Sequence, residues 1–363
     1  MQIEIGNFRH ISRLFDAPHS ILSIIMMLRL LVFGTVMLGA ECQAPPTMLS
    51  LIREPLLVKA IHRRMTGQAK SVAADGASTL SAEWVAGTRK DWFIENQRGG
   101  SDLVEAGVAL GDRKLVDAGL REFEWGYARQ AKDGGFPETG DPFHSTSIFV
   151  LDSGRALIAL RERREEFPEF MPRLDKLAAQ LGAAANWMLQ PAVLERGKRG
   201  NMPYTHRRWI VAAALGQASQ LTGNARFAKA AAEFAEDGIK LQREDGENPE
   251  KGGFDVSYQM VDGLNGSRYY TTLDCASQAE LMARVRRMIE KTCRWEMRHI
   301  SADGEVDVDG STRMLKEKAR SGVIKRPNYK EIVQTFTYAT AITGDRAYIE
   351  VAERLAKNQG WLK

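Results

Sequence analysis

Three short stretches of this chain repeat one local pattern, and that pattern admits little except stacked helices. Residues 105–115, 218–227 and 339–348 each place a glycine (Gly111, Gly223, Gly344) directly before an aspartate or asparagine (Asp112, Asn224, Asp345), between two runs of helical periodicity. Glycine ends a helix readily because it enters the left-handed region without a Cβ clash. The Asp or Asn that follows can accept hydrogen bonds from the first free amides of the next helix. Four residues beyond each glycine comes a large apolar residue, Leu115, Phe227 or Tyr348. The pattern predicts a tight antiparallel helical hairpin at each position.

The three glycines lie 112 and 121 residues apart. Halving these intervals gives a unit of roughly 55–60 residues, near the range of repeat architectures. The intermediate units are visible: one runs from Ser147 through a helix around 174–189, another from Tyr258 through a helix around 276–289. About five hairpins therefore follow residue 96, with one or two further helices between Thr47 and Phe93. No run of strict alternation predicts a sheet, and residues 305–310 allow at most a small hairpin. One helical hairpin cannot bury its apolar faces alone. The expected fold is all-α: an incomplete (α/α)5–7 toroid of antiparallel helical hairpins over residues 45–363.

Composition narrows the partners. The 363 residues are 44% hydrophobic and 26% charged, as in a folded domain, and the formal charge is +4. A pI of about 8.9 suits an acidic ligand, but the charge is too small for a polycation, and no nucleic acid is expected. Residues 1–44 read as a leader with a signal peptide. Arg29 precedes the apolar run 30–40, which is too short for a span of about 20 residues, and small residues follow up to Ala44. The true start is expected at Met26 or Met27, with cleavage near Ala44, no stable membrane span thereafter, and a periplasmic or secreted destination. Cys275 and Cys293 remain after cleavage, either paired or as two buried thiols. No Cys/His cluster has zinc-site spacing, so no metal is expected.

The chemistry-bearing residues concentrate in long Gly/Pro-rich segments before the first helix of each hairpin. Asn96, His144, His206, Tyr258 and Tyr329 occupy the same register, separated by 48, 62, 52 and 71 residues. If the hairpins curl round, they converge at one mouth. His, Tyr, Asn and Arg in one cleft, without a nucleophilic Ser or Cys motif, suit β-elimination on a uronic-acid polysaccharide. Neutralising the carboxylate helps the C5 proton leave; His or Tyr takes that proton, and Tyr can give one to the leaving O4. A tyrosine acting as base needs cations nearby, for which Arg207, Arg208 and Arg268 are candidates. The reaction needs no cofactor.

Gly-Gly-Phe-Pro at 134–137, Asn201 with His206-Arg207-Arg208, and Gly-Gly-Phe-Asp-Val-Ser-Tyr at 252–258 resemble segments of α/α-toroid polysaccharide lyases, and the alginate and glucuronan lyases of polysaccharide lyase family 38 in particular. The resemblance covers residues 90–350 as architecture and these segments as motif. It implies Tyr258 as the catalytic tyrosine, His206 as its histidine, and Asn201 and His144 as carboxylate-neutralising groups. Arg207, Arg208, Tyr204, Arg268 and Tyr269 are the candidates for substrate binding. Where an arginine is sought six residues before Tyr258, this chain has Gly252, and Tyr204, Tyr269 and Tyr329 stay open as rival tyrosines. Trp92, Phe136 and Trp209 are either sugar-stacking or core residues, and Asp152 with Arg155 reads as an internal ion pair. Two other classes stay open: a glycoside hydrolase using Glu138, Asp141, Asp255 or Asp262, and a carbohydrate-binding protein without turnover.

Overall fold

The computed structural model describes residues 43–362, and the compact unit begins at Ala44. The expected leader, with its start at Met26 or Met27, lies outside the described residues. Among those described, every regular element is helical and β-structure is confined to isolated bridges. Three short helices come first: α1 (Met48–Ile52), α2 (Pro55–Ala60) and α3 (Thr79–Val85). Two hairpins follow, α4 (Gly99–Leu110) with α5 (Arg113–Tyr127) and α6 (Pro142–Glu162) with α7 (Met171–Met188). A single helix α8 (Pro191–Asn201) precedes three more hairpins. These are α9 (Thr205–Thr222) with α10 (Ala225–Leu241), α11 (Val256–Tyr270) with α12 (Cys275–Met297), and α13 (Tyr329–Thr343) with α14 (Arg346–Asn358).

Three of the five turns follow the sequence pattern. Gly111, Gly223 and Gly344 end their helices at φ of 75°, 72° and 77°. Asp112, Asn224 and Asp345 then cap the next helix, accepting from the amides of Lys114, Arg226 and Ala347 at 2.9, 3.0 and 3.0 Å. The other two hairpins are built differently: a short 3-10 turn (Pro168–Phe170) leads into α7, and Asp274 caps α12.

The first helix of each hairpin packs on the first helix of the next, in the order α4, α6, α9, α11, α13, and the second helices lie outside them. α1 and α2 fill the space between α13 and α4, and Lys330 of α13 reaches Asp102 of α4 at 2.6 Å. The result is an α/α toroid of five hairpins. Position in the ring sets the sequence of each helix. The inner α6 is surrounded, and every residue from Phe143 to Leu160 is buried. The outer α14 buries only Tyr348, Val351, Ala352, Leu355 and Ala356, the stripe that one apolar helix face requires.

The interior of the ring carries a polar centre. Arg155 of α6 holds Asp152 at 2.8 Å, as the sequence suggested, and also pairs with Glu105 and Asp102 of α4. Arg268 of α11 lies in this network, bonded to Asn265 at 3.0 Å and close to Arg155 and Asp152. Two alternatives that the sequence left open are decided, and one expectation is corrected. Cys293 is a free, buried thiol, so Cys275 and Cys293 do not pair. Trp92, Phe136 and Trp209 are core residues, closed to a sugar. Asn201 ends helix α8, where a loop was expected. None of the described helices is long and apolar enough to cross a membrane.

Hairpins this tight depend on small residues at the crossing. A Cβ on Gly119 of α5 would stand 2.4 Å from the carbonyl oxygen of Gly100 on α4, and one on Gly100 would stand 2.7 Å from the oxygen of Gly119. Backbone on both sides leaves no flexible group to yield. Gly119→Ala is expected to cost about 1–3 kcal/mol of stability in chemical denaturation; an unchanged midpoint would show that α4 and α5 can separate without penalty.

Candidate functional site

Because each hairpin reverses the chain, all five inner helices run the same way and their N-termini share one end of the ring. His144, His206 and Tyr258 lie within the first turns of α6, α9 and α11, inside the helices rather than before them. The His206 ring is 4.5 Å from Tyr258, 6.1 Å from His144 and 5.7 Å from Tyr204, centroid to centroid. Three inner helices thus contribute one ring each to a single cluster. The other two positions in the register do not join it. The Tyr329 hydroxyl accepts a hydrogen bond from the Val306 amide at 3.2 Å, and Asn96 sits in the 3-10 turn (Ile94–Gln97) before α4.

Glu250 organises the cluster. It is 1% exposed and bridges to Tyr204 through the backbone, while Lys251 at φ 53° and Gly252 at φ 85° turn the chain sharply behind it. One carboxylate oxygen lies 2.9 Å from His206 Nδ1, and the other accepts from Arg313 at 2.7 Å. Burial lowers the His206 pKa, and Glu250 only partly restores it, so the imidazole is neutral near pH 7. A neutral ring beside a carboxylate carries its proton on Nδ1, which leaves the Nε2 lone pair free. Burial raises the Glu250 carboxyl, but His206 and Arg313 outweigh it and hold it below the ordinary range.

Arg313 comes from the long segment between α12 and α13, far from Tyr258 in sequence. Its guanidinium lies 3.9 Å from the centre of the Tyr258 ring, and Lys325 Nζ lies at 5.3 Å. Glu317 gathers Arg313, Lys325 and Lys251 around this spot, and although burial opposes it, these cations draw its pKa down to about 2. Three cations against Glu250 and Glu317 leave one net positive charge over the tyrosine. Burial still pushes the Tyr258 hydroxyl up to about 12, with Arg313 working against it. Tyr258 is therefore protonated at neutral pH, and its hydroxyl has no hydrogen-bond partner among the described residues. Tyr204 packs under Arg207 at 4.3 Å and near Arg313 at 5.4 Å.

The remaining sequence candidates separate into three groups. Asn201, His144 and Arg207 line a cavity of about 180 Å³ between the start of α6 and helix α8. Arg208 is a structural residue: it donates to the carbonyls of Asn201 and Tyr204 and closes the turn between α8 and α9. Arg268 and Tyr269 lie near the far end of α11, one in the polar centre of the ring and the other packed against Gly216, away from the cluster. The cations facing Tyr258 are Arg313 and Lys325 instead of Arg207, Arg208 and Arg268. Of the carboxylates considered for hydrolysis, Asp255 is used as a cap, accepting from the amides of Tyr258, Arg313 and Met314. Asp262 is fully buried, and burial raises it well above its usual range. Asp141 is exposed at the mouth and paired with Arg207 at 3.1 Å.

The sequence reading missed Glu250, Arg313 and Lys325. Glu250 stands two residues before the Gly252-Gly253 motif, a position that invited inspection. Arg313 and Lys325 carried no local signal. The His206–Glu250 contact can be checked directly. In Glu250→Gln the His206 ring protons should titrate at lower pH than in the unmodified protein, because the amide no longer favours the imidazolium. A midpoint unchanged or moved upward in an NMR titration would contradict the arrangement.

No family model and no curated protein matches this chain. Among solved structures it is similar to a variant of an unsaturated glucuronyl hydrolase (UGL) with the oligosaccharide dGlcA-Glc-Rha-Glc, at 15% identity over 70% of this chain and 75% of that one, with a TM-score of 0.46.

Proposed function

We propose that this protein is a polysaccharide lyase that cleaves a uronic-acid polysaccharide, of the glucuronan or alginate kind, by β-elimination. The observation that carries the reading is the pair His206 and Tyr258, ring against ring, one backed by Glu250 and the other covered by Arg313. Neutral His206 takes the C5 proton on Nε2. Glu250 stabilises the imidazolium that forms. The electrons of the C5–H bond become the C4–C5 double bond, the C4–O4 bond breaks, and Tyr258 gives its proton to O4. No water is consumed. Arg313 and Lys325 steady the resulting phenolate, and the proton passes from His206 back to Tyr258 to reset the site. We assign neutralisation of the substrate carboxylate to the same two cations, because Asn201 and His144 border a separate cavity. The chemistry itself calls for no cofactor.

A glycoside hydrolase is the second reading, favoured by one observation. Arg320 holds both Glu95, at 3.0 Å, and Asp141, at 3.7 Å, so two carboxylates meet at the mouth.

The two readings differ in product. A lyase leaves a conjugated C4–C5 double bond that absorbs in the ultraviolet; a hydrolase leaves reducing ends without it. Polyglucuronate, polymannuronate, polyguluronate and polygalacturonate are the polymers to offer. Absorbance should rise with at least one of them, and His206→Ala and Tyr258→Phe should each lower the rate by ~10²–10⁴-fold. The acid limb of kcat/KM should fall below the ordinary imidazole pKa, since burial lowers His206. New reducing ends without absorbance, lost in Asp141→Asn, would replace the lyase by the hydrolase.

A further inference from the structure

We infer that the cavity beside His144 is a second uronate-binding subsite, holding the sugar ring next to the one that undergoes elimination. Its position relies on the lyase reading; its chemistry relies on the cavity alone. The space of about 180 Å³ is lined by His144, Trp187, Arg196, Asn201, Arg207 and Asp141, with apolar neighbours around them. Pockets for drug-sized ligands run to ~300–1,000 Å³, so this one suits a single small ring.

Three polar groups at this cavity lack protein partners. Asn201, only 2% exposed, leaves Nδ2 without an acceptor; His144, 8% exposed, leaves Nδ1 unpaired; Arg207 leaves Nε unpaired while another of its nitrogens holds Asp141. Buried N–H groups without partners are costly, and most are satisfied in folded proteins. All three belong to residues that line one cavity, and a ligand rich in acceptor oxygens is the partner that such a cavity would take. Arg196 adds a guanidinium that is exposed and makes no ion pair among the described residues. Two arginines against the single carboxylate of Asp141 leave a net positive charge, which selects an anion. The half-exposed indole of Trp187 offers the flat apolar face on which the C–H side of a sugar ring stacks. A carboxylated sugar meets all three demands.

The place of the cavity gives it a role. His144 borders it and also stands 6.1 Å from His206 in the catalytic cluster, so a ring bound here adjoins the reacting ring. A substrate that fills both positions carries carboxylates on neighbouring rings. The enzyme is thereby matched to homopolymeric uronans, over polymers in which a uronate alternates with a neutral sugar.

The test reads binding without turnover. Tyr258→Phe protein is titrated calorimetrically with a glucuronate trimer and with a neutral glucose trimer, and again after adding Arg196→Gln or Asn201→Ala. The glucuronate trimer should bind at least about tenfold more tightly, and each substitution should weaken it by about fivefold or more. Arg196 is exposed, so that variant does not challenge folding. Equal affinity for the two trimers, or no loss in either variant, would overturn the subsite. A protein that binds the trimer through Arg196 and Asn201 but cleaves no uronan would overturn the lyase reading and leave the subsite standing.

Discussion

A buried carboxylate between two nitrogen bases ties the mouth of this toroid together. Glu250 is nearly inaccessible, and its two oxygens go to His206 on an inner helix and to Arg313 on a distant segment. Removing a carboxylate from water costs several kcal/mol, and the cost is met only when both oxygens have good partners. Each partner is therefore a condition for the other. Arg313 is fixed over Tyr258 because Glu250 and Glu317 hold it, and His206 keeps a defined tautomer because Glu250 accepts from Nδ1. Three separate parts of the chain meet at one residue that no helix contains.

The helical ring explains why such a junction can be rigid. Inner helices buried on all sides cannot tilt without opening the core, and close glycine contacts hold α4 against α5. Their N-terminal turns are consequently fixed points. Those of α6, α9 and α11 each carry one side chain to the cluster, and the long segment after α12 completes it with Arg313, Lys325 and Arg320. That segment is pinned at both sides of the mouth: Arg313 to Glu250, and Arg320 to Glu95 beside the aromatic ring of Phe93. The same electrostatics set the protonation states on which the proposed elimination relies: burial keeps His206 neutral and Tyr258 protonated.

Much of this was legible in the sequence where the cause is local. The Gly-Asp and Gly-Asn turns at 111, 223 and 344 depend on one residue that tolerates positive φ and one that caps, and both effects act within a few residues. The register of His144, His206 and Tyr258 was legible because a repeat returns each to the same end of its helix. Tyr329 and Asn96 shared the register and yet stay apart from the cluster, since register fixes height on the ring but not the direction of a side chain or its nearest partner. Arg208 sat beside His206 and Arg207 in sequence, but on a helix neighbouring residues point different ways, and its guanidinium turned to backbone carbonyls.

The sequence by itself determined the helical hairpins, their approximate number and the end of the ring at which the polar residues gather, because helix periodicity and turn chemistry are short-range. Only the tertiary structure decided which charges surround Tyr258 and which histidine nitrogen is free. Arg313 reaches that ring across 55 residues of chain and Glu250 reaches His206 across 44. Pairings at such separations are selected by burial and by the need to satisfy every buried charge, conditions that exist only once the whole ring has closed.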